Sequence, residues 1–229
     1  MPHQIFIDGA AGTTGLEIAD RLAGRDEFAL ITLADADRKD AGKRREAMDS
    51  ADFVILCLPD DAARDAAAMV TSPHTRIIDA SSAHRTADGW TYGFPELSAQ
   101  QRRAIASAAR VSNPGCYPTG FLAVVAPLVA AGLLDAAAPL SVHAVSGYSG
   151  GGKALIDRFR ARSAPGFRSY GLTLEHKHLP EMQYYAGLAQ PPVFAPAVVP
   201  VFRGMIVEVP LAAGMADADA VRACLTAHY

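Results

Sequence analysis

Apolar positions in the first half of the chain come in short, unbroken runs rather than alternating ones. Residues 4–8 (Gln-Ile-Phe-Ile-Asp) stop at Gly9, and Leu16, Ala19, Leu22 and Ala23 then recur at helical spacing, which predicts a strand, a glycine-rich turn and a helix. Runs at 28–34, 53–58 and 76–79 have the same unbroken character, expected of parallel strands covered on both faces. Asp60-Asp61 opens an Ala-rich stretch between the last two, a predicted helix with Asp60 as its N-cap. Repeated β-α-β units of this kind build a doubly wound parallel sheet with right-handed crossovers.

The pattern changes at Cys116, where an apolar helix begins. Longer strand-like runs follow at 140–148, 192–200 and 204–210, with helices predicted at 153–162 and 180–188, so a second, mixed α+β domain is expected. The division falls at 1–115 and 116–229. Residues 217–229 start with Asp217 and place Val221, Cys224 and Leu225 at helical spacing. No glycine, proline or turn cluster follows, so the chain is expected to stop inside a structural unit.

A length of 229 residues with 50% hydrophobic and 20% charged residues is enough for one large domain or two small ones with a sizeable core. The formal net charge is -3, and the basic residues are scattered apart from Arg38-Lys39 and Lys43-Arg44-Arg45. Neither nucleic acid nor an acidic membrane is therefore an expected partner, and any anionic ligand must be held by local geometry. The three cysteines form neither a paired framework nor a zinc spacing, which suits a reducing compartment and makes the cytoplasm the expected location. Met1 leads into a strand without a basic leader or a long apolar stretch, so no signal peptide or membrane span is expected.

Four segments carry chemistry. Gly9-Ala10-Ala11-Gly12-Thr13-Thr14-Gly15 is spaced GxxGxxG rather than GxGxxG, but a strand before it and a helix after it are what a dinucleotide pyrophosphate requires in a Rossmann-like domain. Glycines let the backbone approach the phosphates, and the helix N-terminus offers N–H donors; a purely structural tight turn is the other reading. After the second strand come Asp35, Arg38 and Lys39. An acidic residue there suits a ribose hydroxyl and basic ones suit a 2′-phosphate, a balance that favours NADP over NAD, with a solvated loop as the alternative. Cys116, in Asn113-Pro114-Gly115-Cys116-Tyr117-Pro118, stands at a helix start, where N–H groups and the helix dipole lower a thiol pKa below its free value of about 8.5. A small buried thiol fits the position equally well. His176 and His178 sit at i, i+2 and, on an extended segment, project to one side, which suits a metal pair or a catalytic base with a supporting partner. No further Cys/His cluster completes a metal site, so no metal is expected. A thiol at a helix start with a histidine far along the chain is the arrangement of thiol catalysis. Asp79-Ala80-Ser81-Ser82-Ala83-His84-Arg85 follows a strand's carboxyl end, where ligands collect, and Arg85 is suited to fork onto a phosphate or carboxylate. The loop from Ser146 to Lys153, with Tyr148, Gly150 and Gly151, allows close backbone approach to a ring or phosphate. Both segments also read as ordinary loops.

The segments IFIDGAAGTTGLEI, DASSAHR, Tyr92-Gly93-Phe94-Pro95-Glu96-Leu97, SNPGCYPTG, SGYSGGGK and EHKHLPE occur in one order, and with them essentially the whole chain resembles the N-acetyl-γ-glutamyl-phosphate reductase family of arginine biosynthesis, in its shorter type. The resemblance implies a Rossmann-like cofactor domain, and a second α+β catalytic and dimerisation domain of the semialdehyde-dehydrogenase type. It also implies NADP(H) as cofactor, an acyl phosphate as substrate, and a homodimer or homotetramer. Cys116 matches the family nucleophile and His178 the acid/base. Arg85, Tyr148, Lys153, Tyr170, His176 and Glu181 are the expected substrate-binding or supporting residues. Gly9, Gly12, Thr13, Thr14, Gly15, Asp35, Arg38, Ser81, Ser82, Gly150 and Gly151 form the expected cofactor set. Family members continue past the position of Tyr229 with a strand and a Gly-rich helix that returns to the cofactor domain, so the expectation is that this segment is missing here. Alternatives are another acyl-phosphate reductase such as an aspartate-semialdehyde dehydrogenase, a catalytically impaired nucleotide-binding fragment, and a cysteine hydrolase.

Overall fold

Ile5, Phe6 and Ile7 are buried in succession along β1 (His3–Asp8), as a strand covered on both faces requires. In the computed structural model, which describes residues 1–161 and 164–229, the chain divides into two units: Met1–Gly93 with Arg103–Pro114, and Phe94–Arg102 with Gly115–Tyr229. The predicted end of the 153–162 helix at Arg162 lies outside the described residues.

In the first unit β1 is followed by α1 (Thr13–Leu22), β2 (Phe28–Ile31), α2 (Ala41–Ser50), β3 (Phe53–Leu56), α3 (Asp60–Met69), β4 (Arg76–Asp79) and β5 (Thr91–Tyr92). Then come α4 (Ala99–Ser107), which contains the change of unit at Arg102, and β6 (Arg110–Ser112). Among the described residues these strands form a six-stranded sheet in the order β2-β1-β3-β4-β6-β5, every pair parallel. Strand order reverses between β1 and β3, which opens a crevice at their carboxyl ends. Ala63, Ala66 and Ala67 are almost fully buried at i, i+3 and i+4 on α3, and without large side chains the helix lies close against Val54, Leu56 and Ile77.

Two expectations need correction in this unit, and one helix was not predicted. Pro59, not Asp60, is the N-cap of α3; Asp60 is its first helical residue and accepts from Ser82 through both backbone N (2.9 Å) and Oγ (2.7 Å). The runs at 28–34 and 53–58 pair only to Ile31 and Leu56, because the chain then leaves the sheet for the crevice loops. The run around Lys43-Arg44-Arg45 is helix α2, which its polarity concealed. Asp40 caps it by accepting from Lys43 N at 2.8 Å, and Ala47 and Met48 anchor it in the core.

The second unit starts from α5 (Cys116–Ala130), whose Phe121, Leu122, Val125 and Leu128 are fully buried. It continues through β7 (Ser141–Gly147), α6 (Gly152–Arg160), β8 (Arg168–Ser169), α7 (Leu179–Ala186), β9 (Val193–Val199), β10 (Met205–Glu208) and α8 (Ala218–His228). Among the described residues its sheet runs β10-β7-β9-β8, with β7 and β9 parallel and the outer pairs antiparallel. Helix α5 packs on α7, α8 and β10, and at Gly120 it comes so close that an added Cβ would lie 2.8 Å from the Val207 side chain. Asp217 caps α8 by accepting from Ala220 N.

Candidate functional site

In the first unit the glycine turn is built by close approach. Gly9 has φ +89°, and a Cβ there would collide with the Cys57 carbonyl; one at Gly15 would collide with the Gly9 carbonyl, where the turn folds back under α1. Gly12 is the N-cap of α1 and brings no side chain to cap it, and Thr13 and Thr14 open the helix exposed. The first N–H groups of a helix have no partner within it, so this end suits an anion. Beside the turn lies a cavity of about 620 Å³, lined by apolar residues of α1 and β2, by Gly9, and by Asp8, Arg38, Lys39 and Arg44. A Cβ-free approach, a helix N-terminus and cations beside an apolar slot fit a dinucleotide with a phosphorylated ribose. Asp35 does not line this cavity; it is exposed and pairs with Arg38 at 2.9 Å.

Ser81 and Ser82 point their hydroxyls elsewhere. Ser81 Oγ donates to Asp79 Oδ2 at 2.7 Å, Ser82 Oγ donates to Asp60, and His84 Nδ1 meets the same Asp79 Oδ2 at 2.6 Å with its ring stacked on Trp90. Asp79 is fully buried, so these bonds compensate its loss of water. Arg85 is also buried; its Nε donates to the Asn113 carbonyl at 3.0 Å, and Asn113 N donates to the Asp79 carbonyl, so the DASSAHR loop and the Asn113 turn are one hydrogen-bonded piece. Cys57 follows β3, and burial, then Asp79 and Asp8, push its thiol up to about 11, which keeps it protonated and unreactive.

The second unit holds the thiol. Cys116 is exposed and is the first residue of α5, with Gly115 as N-cap. Gly115 N donates to Glu181 Oε2 at 2.9 Å, and the other oxygen of that carboxylate lies 4.0 Å from His178 Nε2. Glu181 is 1% exposed and His178 6%, so one buried carboxylate links the start of the cysteine helix to an imidazole 62 residues further along the chain. The extended reading of the histidine segment needs correction: His178 is the N-cap of α7 in helical conformation (φ -86°, ψ -14°), and Pro180 fits that helix's first turn. The two rings still meet, their centroids 4.7 Å apart. His176 Nδ1 accepts from His178 N at 3.2 Å, which places the proton of a neutral His176 on Nε2. Burial, then Lys177, hold the His176 pKa below the ordinary imidazole value.

Tyr170 joins this group through a chain the sequence did not reveal. Tyr170 OH donates to Tyr117 OH at 3.0 Å, and Tyr117 OH lies 2.7 Å from Ser146 Oγ. Burial, then the bond to Tyr117 and the nearby Cys116, push the Tyr170 hydroxyl far above the ordinary phenol range, so it stays a donor. Tyr117 was legible only as the neighbour of Cys116, and Ser146 only as the first residue of a loop. Tyr148 and Lys153 stand apart in their contacts: Tyr148 stacks on Phe159 at 5.3 Å, and Lys153 pairs with Asp157 one turn along α6. Gly150 and Gly151 belong to a 3-10 turn of the second unit, Tyr148–Gly151, in which a Cβ on Gly151 would collide with Leu155.

Residues 4–106 match the family model of the semialdehyde dehydrogenase NAD binding domain, and residues 116–229 that of the semialdehyde dehydrogenase dimerisation domain. N-acetyl-gamma-glutamyl-phosphate reductase 2 of Pseudomonas putida is 53% identical over 232 residues, covering 98% of this chain and 74% of its own length. The Burkholderia lata N-acetyl-gamma-glutamyl-phosphate reductase is 50% identical over the same coverage of both chains. Among solved structures, aspartate semialdehyde dehydrogenase II of Vibrio cholerae aligns with a TM-score of 0.69 over 99% of this chain and 79% of that one, at 17% identity, which is a likeness of fold. The aspartate semialdehyde dehydrogenase of Candida albicans with NADP aligns at 0.65 over 97% and 75%, at 16% identity. With identity at this level along nearly its whole length, and a thiol, an imidazole and a glycine turn set as described, the chain belongs to the N-acetyl-γ-glutamyl-phosphate reductase family.

Proposed function

We propose that the chain reduces N-acetyl-γ-glutamyl phosphate to N-acetylglutamate 5-semialdehyde and phosphate with NADPH, through a thioester on Cys116. The observation that carries this reading is the exposed Cys116 thiol at the first position of α5, with Glu181 joining that helix start to His178. Residues 1–115 carry the cofactor turn and Arg85, and residues 116–229 the thiol and the imidazole.

The Cys116 thiolate attacks the acyl-phosphate carbonyl, and the C–O bond breaks with its electron pair leaving on phosphate, which needs no proton to depart. Backbone N–H groups at the start of α5 hold the carbonyl oxygen as it becomes negative, a contribution of about 3 kcal/mol per donor in the transition state. Arg85, oriented by the Asn113 carbonyl, binds the phosphoryl anion, a task for which Lys153 is the weaker candidate because it is engaged with Asp157. When bound, the dihydronicotinamide supplies the hydride that the thioester carbon accepts. His178 then gives its proton to the sulfur as the C–S bond of the hemithioacetal breaks, and Glu181 stabilises the imidazolium at the other stages of the cycle. Tyr170 and neutral His176 keep hydrogen-bond donors directed into the same group.

The test is phosphate-dependent reduction of NADP by N-acetylglutamate semialdehyde. Cys116→Ser should keep less than about a tenth of the parent rate, because an oxygen ester is a poor hydride acceptor and a serine hydroxyl is a poor nucleophile near neutral pH. His178→Asn should lower kcat by about a hundredfold with KM largely kept, and His176→Asn should lower it less. A parent that prefers aspartate semialdehyde would assign the sister activity, and a His176→Asn loss exceeding that of His178→Asn would exchange the two roles. We also place the protein in the cytoplasm, as a homodimer or homotetramer; among the described residues no helix is long and apolar enough to cross a membrane.

A further inference from the structure

Arg44 belongs to the charged run Lys43-Arg44-Arg45, yet it does not behave as a solvated surface residue. From α2 it reaches the end of β1, where an Nη donates to Asp8 Oδ2 at 2.6 Å; the two side chains are 20% and 8% exposed. Its Nε is buried without a hydrogen-bond partner. Both residues line the cavity beside the glycine turn, whose cations among the described residues are Arg38, Lys39 and Arg44 and whose carboxylate is Asp8.

We propose that Arg44 is the residue that makes this chain select NADP(H) over NAD(H), by binding the 2′-phosphate of the adenosine ribose, with Asp8 as the positioning residue that holds its guanidinium. The proposal rests on the cofactor reading above and adds the group that discriminates. Sheets that select NAD place a carboxylate at the end of the second strand, where it accepts from the ribose hydroxyls. Here Thr32 and Leu33 line the cavity at that place, and the next carboxylate, Asp35, is 89% exposed, off the cavity wall and paired with Arg38. Asp8 would repel a phosphate dianion, but Arg44 cancels its charge. Arg38 and Lys39 are exposed, so their attraction is screened by solvent and ordering them costs side-chain entropy. Arg44 is mostly buried and already oriented, so each bond it makes to phosphate costs less entropy.

Titration calorimetry of the full chain with 2′,5′-ADP and with 5′-AMP reads the 2′-phosphate directly, without catalysis. For Arg44→Met, 2′,5′-ADP affinity should fall about tenfold or more while 5′-AMP affinity stays within about twofold of the parent, as expected for loss of a charge-assisted bond. An unchanged 2′,5′-ADP affinity, or an equal loss for both ligands, would overturn the assignment. Because Arg44→Met leaves Asp8 buried without its partner, the double variant Asp8→Asn/Arg44→Met controls for damage to the fold. It should regain the parent's unfolding midpoint without regaining the 2′,5′-ADP preference, and a return of that preference would also overturn the proposal. A parent that binds neither ligand would sink the cofactor reading together with this one, whereas a parent that prefers 2′,5′-ADP with Arg44→Met unchanged would sink the role of Arg44 alone.

Discussion

His176 and His178 are two residues apart yet meet different surroundings, and the difference has consequences for pH. His176 is half-buried beside Lys177, and desolvation first, then that charge, hold its folded pKa below the value near 6.5 that it has when unfolded. The folded state therefore keeps this ring neutral in a range where the unfolded chain takes up a proton. Stability contributed by the neutral ring is complete above the unfolded pKa and is lost as pH falls toward the folded one. Urea unfolding should show the parent losing stability between about pH 7.5 and about pH 5.5, with His176→Gln losing distinctly less over the same interval. Equal pH slopes for the two proteins would refute this account of the ring. The residues that a linear reading could not rank are of the same kind: Tyr117, Ser146 and Arg44 gain their importance from neighbours 29 to 53 positions away in the hydroxyl chain and 36 away in the ion pair.

At the scale of elements, the junctions carry more information than the elements themselves. The β1–α1 turn closes only because Gly9 adopts a left-handed conformation against the Cys57 carbonyl and Gly15 lets the Gly9 carbonyl pass under the helix. Gly9→Ala combines a strained φ with a backbone collision and should cost about 2 kcal/mol or more, read as a lower unfolding midpoint, and should weaken NADP binding alongside. A Gly9→Ala protein as stable as the parent would contradict this reading of the turn. The strand–turn–helix identity was legible because unbroken apolar runs, glycines and helical periodicity coincide there. Helix α2 was not, because its Ala47 and Met48 anchor is too short a signal within a polar run. The extended reading of the histidine segment was displaced by the helix that Pro180 helps to start, which draws His178 into its N-cap.

On the scale of the whole molecule, the sheet of the second unit has one face to spare. Val207 points at Gly120 of α5, so its neighbour Ile206 lies on the opposite face, in register with Val145 of β7. Ile206 and Val193 are 64% and 53% exposed, an unusual state for large apolar side chains on a sheet face. A self-complementary contact between two copies would cover them, in keeping with the matched dimerisation model. Light scattering should give a dimer or a higher even oligomer for the parent, and Ile206→Glu should shift it toward the monomer while leaving the far-ultraviolet circular dichroism unchanged. A monomeric parent at micromolar concentration would oppose the assembly proposed above.

Along one dimension, the residues settled the alternation of strands and helices, the glycine turn, the thiol at a helix start and the histidine pair, because each of these depends on neighbours within a few positions. Tertiary structure decided which partners those groups have: Glu181 between Gly115 and His178, Tyr170 on Tyr117 and Ser146, Asp79 beneath Ser81 and His84, and Arg44 on Asp8. Buried polar side chains must find partners wherever the fold brings them together, and the distance along the chain to such a partner is set by packing of the elements rather than by any local preference of the residues.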